Sequence, residues 1–233
     1  MLYLFGEKGE FGAVRYYTSY VIPFVIELVG LPETPEREFM LDYLLRVADN
    51  ILNSNHLSVG QMRLHVNAYD SIVKKIDILM TLLDDETKGM RIGTIDLLGK
   101  LSDHAEILLP ELFRRFDVEK DEDIKIALLN SVKALLNSLD WHQDKLKGNY
   151  GPLLRDIVES NSSEKIQLVA ARASVEIVNK FGRYKDILSD KVPELLSKEF
   201  LRRTFYPADY KFIHWKRTLE LSLIHISEPT RPY

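Results

Sequence analysis

Apolar residues recur at three- and four-residue spacing along almost the whole chain. The alternating pattern of a half-buried strand, bounded by turn residues, is missing. The spacing predicts a first helix from about residue 16 to residue 29, ending before Gly30. It predicts a second helix in which Pro35 occupies the first helical position and Thr34 caps the free amide groups of the first turn. We therefore expect an all-α protein whose first two helices form an antiparallel pair.

The middle of the chain is less regular. Residues 53–66 are polar and lack a clear period, which is typical of a long connection, and residues 67–83 resume a helical pattern. Residues 84–87 then form an acidic turn that ends on Thr87, a residue type that caps helices. We expect a connection, a helix and a new helix start, in that order.

A repeat becomes visible from residue 84 onward. An acidic or Ser/Asn turn is followed three times by a helix with large apolar residues at matching positions. The matched central residues are Arg91, Lys125 and Gln167, which are 34 and then 42 residues apart. Further helical segments are predicted at residues 107–116, 150–158 and 192–196. Each copy therefore reads as one helical hairpin.

Stacked hairpins are the architecture that this repeat predicts. One amphipathic hairpin cannot bury its apolar stripe alone, so neighbouring hairpins must stack into a continuous core. We predict an all-α α-solenoid of stacked antiparallel helix pairs, with an irregular helical bundle as the competing arrangement. Residues 1–200 are the predicted helical repeat domain, and residues 201–220 are a basic and aromatic C-terminal helical segment.

Two segments of the chain resemble a known family. Residues 84–101 resemble the second helix of HEAT-repeat proteins, which opens with an acidic turn and a hydrophobic-Arg pair, here residues 90–91. Residues 12–28, with their Ile-Pro-Phe-Val core, look like the opening of a group of bacterial HEAT-repeat proteins. Lys125 and Gln167 depart from the family's usual Arg. The resemblance implies a HEAT-like, ARM-type superhelix and a scaffolding role, without assigning a function to any residue.

Residues 221–233 carry a different resemblance. The run Leu-Ser-Leu-Ile-His-Ile-Ser-Glu-Pro-Thr-Arg, which starts at Leu221, reads like the translation of a transposon-end adapter used in sequencing libraries. We therefore expect a non-native tail, with the natural protein continuing beyond about Glu220. We expect this tail to take no part in the native fold, and we expect no functional role for His225 or Arg231.

The amino-acid composition excludes several kinds of chemical site and of binding partner. The chain has no cysteine, which excludes disulfides, thiolate metal sites and Cys nucleophiles and favours a reducing compartment. Its 31 Lys and Arg against 35 Asp and Glu disfavour a general polyanion binder. No basic segment precedes a long apolar run, and the most apolar stretch is too short to span a bilayer. We predict a cytoplasmic protein without a membrane segment.

No group of residues has the spacing that catalysis or metal binding requires. No two of the six histidines lie four residues apart around a Glu, and His104 is expected to cap a helix or to be solvated. Residues 117–123 alternate carboxylates as a calcium loop does, but Glu122 and Leu128 stand where that loop needs Gly and Glu. An inter-repeat turn is predicted there instead. We expect no cofactor, no metal and no enzymatic activity.

Two surface segments are candidate binding regions. The aromatic and basic lead-in either covers the first helix pair, which we favour because solenoid ends need covering, or lines a binding face. Its residues are Phe11, Arg15, Tyr16, Tyr17 and Tyr20. A C-terminal segment interleaves basic and aromatic residues, as partner-binding surfaces do, although its aromatics equally suit the packing of another helix. Its candidate partner-binding residues are Arg202, Arg203, Tyr206, Lys211, Trp215, Lys216 and Arg217.

The leading functional hypothesis is a non-catalytic scaffold that engages an unidentified protein or peptide with the concave face of the solenoid. That face is expected to consist of the helices that follow Thr87, Asp121 and Ser163. The alternative is a HEAT-like DNA glycosylase or another nucleic-acid-binding protein, although the acidic composition makes nucleic acid the weaker candidate partner. Four residues keep the alternative open: Trp141, Trp215, Arg114 and Arg115.

Overall fold

The computed structural model of the chain describes residues 14–53, 57–139, 144–160, 162–181 and 188–204. These residues form α-helices and two short 3-10 turns, Leu82–Asp84 and Ser102–His104, and contain no β-strand. The all-α prediction is confirmed for this part of the chain. The helices are α1 Thr18–Gly30, α2 Arg37–Leu52, α3 Val59–Val73, α4 Ile76–Thr81, α5 Lys88–Leu98, α6 Ala105–Val118, α7 Glu122–Ser138, α8 Asp144–Glu159, α9 Glu164–Phe181 and α10 Val192–Thr204.

The helices belong to two compact units, Met1–Leu139 and Asp140–Tyr233. In the first unit α1 packs against α2, α3 and α4, while α2 also packs against α3 and α5. Helix α7 packs against both α5 and α6. In the second unit α9 packs against α8 and α10. The predicted hairpin partners α6 with α7, and α8 with α9, are therefore packed neighbours.

Each helix buries one apolar stripe, as the three- and four-residue spacing predicts. In α1 and α2, for example, Ile22 and Ile26, and Leu41 and Leu44, are almost completely removed from solvent. Full burial of such a side chain contributes roughly 1.5–3 kcal/mol to folding. The other large side chains buried to the same degree include Met40, Ile72, Leu79, Leu83, Met90, Ile95 and Leu97.

Two of the three positions matched in the sequence make similar contacts. Arg91 donates through Nη1 to two carbonyl groups of the turn before its helix, at 2.6 and 3.2 Å. Gln167 donates through Nε2 to a carbonyl of the turn before its own helix, at 2.5 Å. Lys125 differs, because its ammonium group lies 4.7 Å from the centre of the Phe116 ring, a cation–π contact. Two of the three copies therefore share the same bond from helix to turn.

Arg37 ties the start of α2 to two neighbouring segments. Its Nε donates to the carbonyl of Val29 at 2.7 Å, and its Nη2 lies 2.6 Å from Oδ2 of Asp85 in the turn before α5. The side chains of Arg37 and Asp85 are only 11% and 9% exposed. The second oxygen of Asp85 accepts from the N–H of Thr87 at 2.9 Å. One buried ion pair thus joins α1, α2 and the start of α5.

The two acidic turns differ at the helix starts that follow them. Thr87 stands at the N-cap of α5, but its side chain makes no capping hydrogen bond within the described part of the chain, so the predicted cap is wrong there. The turn before α7 does supply a cap. The side chain of Asp121 accepts from the N–H groups of Asp123 at 2.9 Å and Ile124 at 3.2 Å, at the first turn of α7. A cap of this kind stabilises a protein by about 1 kcal/mol. The carboxylates of residues 117–123 therefore include a helix cap.

The predicted start of α2 is wrong. The helix begins at Arg37, and Glu36 before it has a φ of 60°, in the left-handed region that few residues other than glycine adopt. That backbone conformation prevents a continuous helix from Pro35. The N–H of Thr34 donates to the carbonyl of Leu31 at 3.0 Å, so Thr34 takes part in a turn rather than capping α2.

The connection predicted over residues 53–66 is also wrong, because α3 begins at Val59. Ser58 and Gln61 form a capping box: the Ser58 side chain accepts from the Gln61 N–H, and the Gln61 side chain accepts from the Ser58 N–H at 3.0 Å. This reciprocal pair satisfies two N–H groups at the helix start. The helix predicted over residues 67–83 is interrupted as well, since α3 ends at Val73 and α4 begins at Ile76.

Candidate functional site

A groove in the first unit is lined by α2, α5 and α7 together. Helix α5 packs against both of the other two helices, and it does so through glycine. A Cβ atom at Gly93 would lie 2.8 Å from Cδ2 of Leu41 in α2, and one at Gly99 would lie 2.7 Å from Oγ of Ser131 in α7. A side chain at Gly93 would displace the end of the Leu41 side chain, whereas a side chain at Gly99 would also meet the backbone of Ser131.

Each of the three helices presents one face to this groove, which has a volume of about 460 Å³. Lining residues within one helix are three or four positions apart, which places them on a common surface. The volume lies within the range of roughly 300–1,000 Å³ that is usual for ligand sites. The lining residues are Asp42, Leu45, Arg46 and Asp49 from α2, Asp96, Gly99 and Lys100 from the end of α5, and Asn130, Ser131 and Ala134 from α7.

Two ion pairs use both cations of the groove. Nε of Arg46 lies 3.0 Å from Oδ2 of Asp42 within α2. Nζ of Lys100 lies 2.5 Å from Oδ1 of Asp49, so this pair connects the end of α5 to α2. Asp96 makes no hydrogen bond or ion pair with the residues that the structure describes. Three carboxylates therefore face two cations, and the groove has an acidic surplus.

The environment of Asp96 disfavours its charged form. Partial removal of water raises the pKa of the Asp96 carboxyl above its usual range, and the negative charge of Asp49 raises it further. Lys100 acts in the opposite direction without cancelling these effects. A nearby positive charge would stabilise the charged form of this carboxyl group.

The groove offers charge and hydrogen bonds, and its one hydroxyl group is already engaged. Oγ of Ser131 donates to the buried carbonyl of Ile95 at 2.9 Å, and among the described residues no histidine lines the groove to act as a base. Elsewhere in the described ranges, no three His, Asp or Glu side chains converge as a metal site would require. The arrangement is suited to binding.

The C-terminal candidate residues lie largely beyond the described part of the chain. Arg202 and Arg203 belong to the last turn of α10, Val192–Thr204, and the structure describes only their backbone. Tyr206, Lys211, Trp215, Lys216 and Arg217 lie outside the described residues, as does the tail from Leu221 onward. Their role as a partner-binding surface stays a prediction.

The described residues of the aromatic lead-in divide into two groups: Tyr17 is partly buried and lies near the buried Tyr43 of α2, whereas Tyr16 and Tyr20 face solvent. Tyr16 and Tyr20 are 73% and 72% exposed, and Phe24 follows them at 66%. These three residues are four positions apart and form an exposed apolar stripe along the start of α1. Tyr17 stacks edge-on against Tyr16, with ring centres 5.2 Å apart, and Phe11 lies outside the described residues.

The residues that support the nucleic-acid alternative are not assembled into a basic surface. Arg114 is held by both carboxylate oxygens of Glu111. Arg115 pairs with Asp84, and its Nη2 also lies 3.6 Å from Oε2 of Glu119. Carboxylates therefore neutralise both guanidinium groups. Trp141 and Trp215 lie outside the described residues.

His104 stands at the N-cap of α6, but its side chain makes no capping hydrogen bond. Its Nδ1 is enclosed by protein and has no hydrogen-bond partner. The expected capping role is therefore wrong. The 3-10 turn Ser102–His104 that leads into α6 explains this outcome, because the preceding backbone differs from the extended conformation of a usual capping residue.

Sequence reasoning named two of the three helices that line the groove, those after Thr87 and Asp121, but none of its polar residues. A signal was present in α2, where Asp42, Arg46 and Asp49 share one helix face by their spacing. A polar face on a helix usually indicates solvent, so the spacing alone did not distinguish a groove. The packing of α5 between two partners supplies the missing information.

Comparison with protein-family models, with curated proteins and with solved structures gives no match for this chain. Across the described ranges, no helix combines the length and the apolar character needed to cross a membrane. The geometry and charge of the groove therefore carry the functional argument.

Proposed function

We propose that this chain is a non-catalytic binding protein that holds a segment of a protein partner in the groove of α2, α5 and α7. The observation that carries the proposal is the groove itself, to which three helices distant in sequence each contribute one face. The proposal includes a HEAT-like α-solenoid and a scaffolding role in the cytoplasm.

The walls of the groove support binding because they are set before a partner arrives. The close approach at Gly93 and Gly99 and the buried bond from Ser131 to the Ile95 carbonyl hold α5 between its neighbours. The pair of Lys100 with Asp49 adds a contact across the groove. A preformed site avoids part of the ordering cost that weakens binding to flexible surfaces.

The charge of the groove favours a protein over a nucleic acid. Nucleic-acid affinity comes largely from cations that neutralise phosphates, whereas the cations here, Arg46 and Lys100, are already paired with carboxylates. Exposed side chains such as Asn130 and Ala134 leave room for a peptide backbone and its side chains.

Selection of peptides from a random phage-displayed library on the full chain tests this proposal. Asn130→Trp places a large side chain in the groove, and Asn67→Trp makes the same change at an exposed position of α3. We expect enriched peptides to bind the wild type and Asn67→Trp alike, and to lose roughly tenfold or more in affinity for Asn130→Trp, about 1.4 kcal/mol.

Two outcomes would contradict the proposal. One is a selection that enriches no saturable binder on the folded chain. The other is a set of binders that Asn130→Trp leaves unaffected, which would place the binding surface elsewhere. Circular dichroism of both variants checks that each tryptophan leaves the helical content unchanged.

A further inference from the structure

Resting on the proposed function, we infer that the partner segment is basic and places an arginine or lysine side chain against Asp96, on the side of the groove that faces Asp49. The groove then binds a peptide by charge complementarity at one defined position. The partner's cation takes the place that no cation of the described chain occupies.

The pairing pattern of the groove identifies Asp96 as that position. Asp42 is neutralised by Arg46 within the same helix, and Asp49 is neutralised by Lys100. Asp96 precedes Lys100 by one helical turn, a spacing at which the two could pair. The ammonium group of Lys100 is instead held at 2.5 Å by Asp49, so Asp96 feels its charge but forms no direct ion pair with it among the described residues.

Asp96 is an exposed residue of the groove, and its surroundings differ from those of an isolated surface carboxylate. Protein atoms displace part of its water and Asp49 repels it, and both effects raise the pKa of its carboxyl group. A bound cation would interact favourably with both carboxylates at once. Since the groove is concave, its field is stronger than that of the same charges on a convex surface.

Neighbouring polar groups suit the donors of a cationic side chain. Asn130 of α7 lines the groove, and the oxygen of its side-chain amide can accept a hydrogen bond. A guanidinium group has five N–H donors in a plane and can bond to a carboxylate and an amide together. Leu45 and Ala134 supply apolar wall for the methylene stem.

Three synthetic nonapeptides test the inference on the full chain: acetyl-(Gly-Arg-Ser)₃-amide, its Gln counterpart and its Glu counterpart. Amide resonances of Asp49, Asp96 and Asn130 are followed by ¹H–¹⁵N NMR at low salt. We expect saturable shifts with the Arg peptide, and affinity about fivefold weaker for the Gln and Glu peptides, the upper end of what one partly exposed ion pair contributes.

A matched pair of variants assigns the effect to one carboxylate. Asp96→Asn removes the proposed contact, and Asp77→Asn removes an exposed carboxylate of α4 that does not line the groove. The Arg peptide should bind Asp96→Asn about fivefold more weakly and Asp77→Asn as it binds the wild type. Equal binding to all three proteins would overturn the inference.

The outcomes separate this inference from the function on which it rests. If peptides selected on the groove lack cations, or if the Gln peptide shifts the groove resonances as strongly as the Arg peptide, the inference fails and the binding function stands. If no peptide of any charge shifts these resonances and Asn130→Trp affects no binder, both fail.

Discussion

A methyl group added at Gly99 would lie 2.7 Å from Oγ of Ser131 and 3.0 Å from its Cα atom. The second distance involves backbone, so α5 and α7 would have to move apart to relieve it. Gly99 therefore sets the separation of two helices that line the groove.

Gly99→Ala should destabilise the protein by about 1–3 kcal/mol, the usual cost of overpacking a core contact. The measurement is chemical denaturation followed by circular dichroism. Gly60→Ala is the matched control, because a Cβ atom at Gly60 in α3 meets nothing within 4 Å. That variant should be neutral or stabilising by up to about 1 kcal/mol. Equal effects of the two changes would show that the close approach to Ser131 is unimportant.

Arg37→Ala should destabilise the protein by about 3 kcal/mol, because it leaves the buried carboxylate of Asp85 without its cation. Arg46→Ala removes a guanidinium from an exposed pair within α2 and should cost no more than about 0.5 kcal/mol. Denaturation of the wild type, Arg37→Ala, Asp85→Ala and the double variant Arg37→Ala/Asp85→Ala gives the coupling energy of the buried pair. A coupling energy near zero would contradict the role of the pair.

The stability contributed by Asp85 should depend on pH. Burial alone would raise the pKa of its carboxyl group, but the hydrogen bond from Thr87 and the contact with Arg37 together lower it below the usual value. A depressed pKa means that this stability is present above the unfolded value of about 3.9 and is lost as pH falls through the folded value.

Comparison of the wild type with Asp85→Asn over a range of pH measures this dependence. The difference in unfolding free energy should be largest near neutral pH and should shrink below about pH 4. Asp77→Asn, in which an exposed carboxylate of α4 is removed, corrects for the general effect of one charge. A difference that stays constant as the acid is added would contradict the prediction.

Ser58→Ala should weaken the start of α3 by about 1 kcal/mol, because it removes one half of the capping box with Gln61. Hydrogen exchange of the amide groups in the first turn of α3 should accelerate accordingly. Ser58→Asp keeps a side-chain acceptor at the N-cap and should retain most of the protection. If Ser58→Ala exchanges like the wild type, the box does not hold this helix.

The helices follow from the sequence wherever local chemistry determines them. Apolar spacing predicts the helices after Thr87, Asp121 and Ser163, and the capping by Asp121 is confirmed. The predictions fail where one backbone conformation or one cap decides the outcome. Glu36 adopts a left-handed φ that no spacing reveals, and the Ser58 capping box begins a helix inside a polar stretch.

The candidate site depends on contacts between helices, which the sequence pattern does not contain. Lys100 pairs with Asp49 rather than with Asp96 because α2 and the end of α5 are adjacent. The spacing within α5 alone would pair Lys100 with Asp96. The acidic surplus of the groove therefore could not be located before the packing was known.

The bond from helix to turn at Arg91 and Gln167 does not depend on a charged donor. Arg91 and Gln167 both reach a turn carbonyl with a planar N–H group, although only the first carries a charge. A planar N–H donor of sufficient length can make this bond, since a carbonyl accepts from an amide or a guanidinium. A search profile that scores hydrogen-bonding capacity at this position would detect both copies, whereas a profile that demands Arg would detect one.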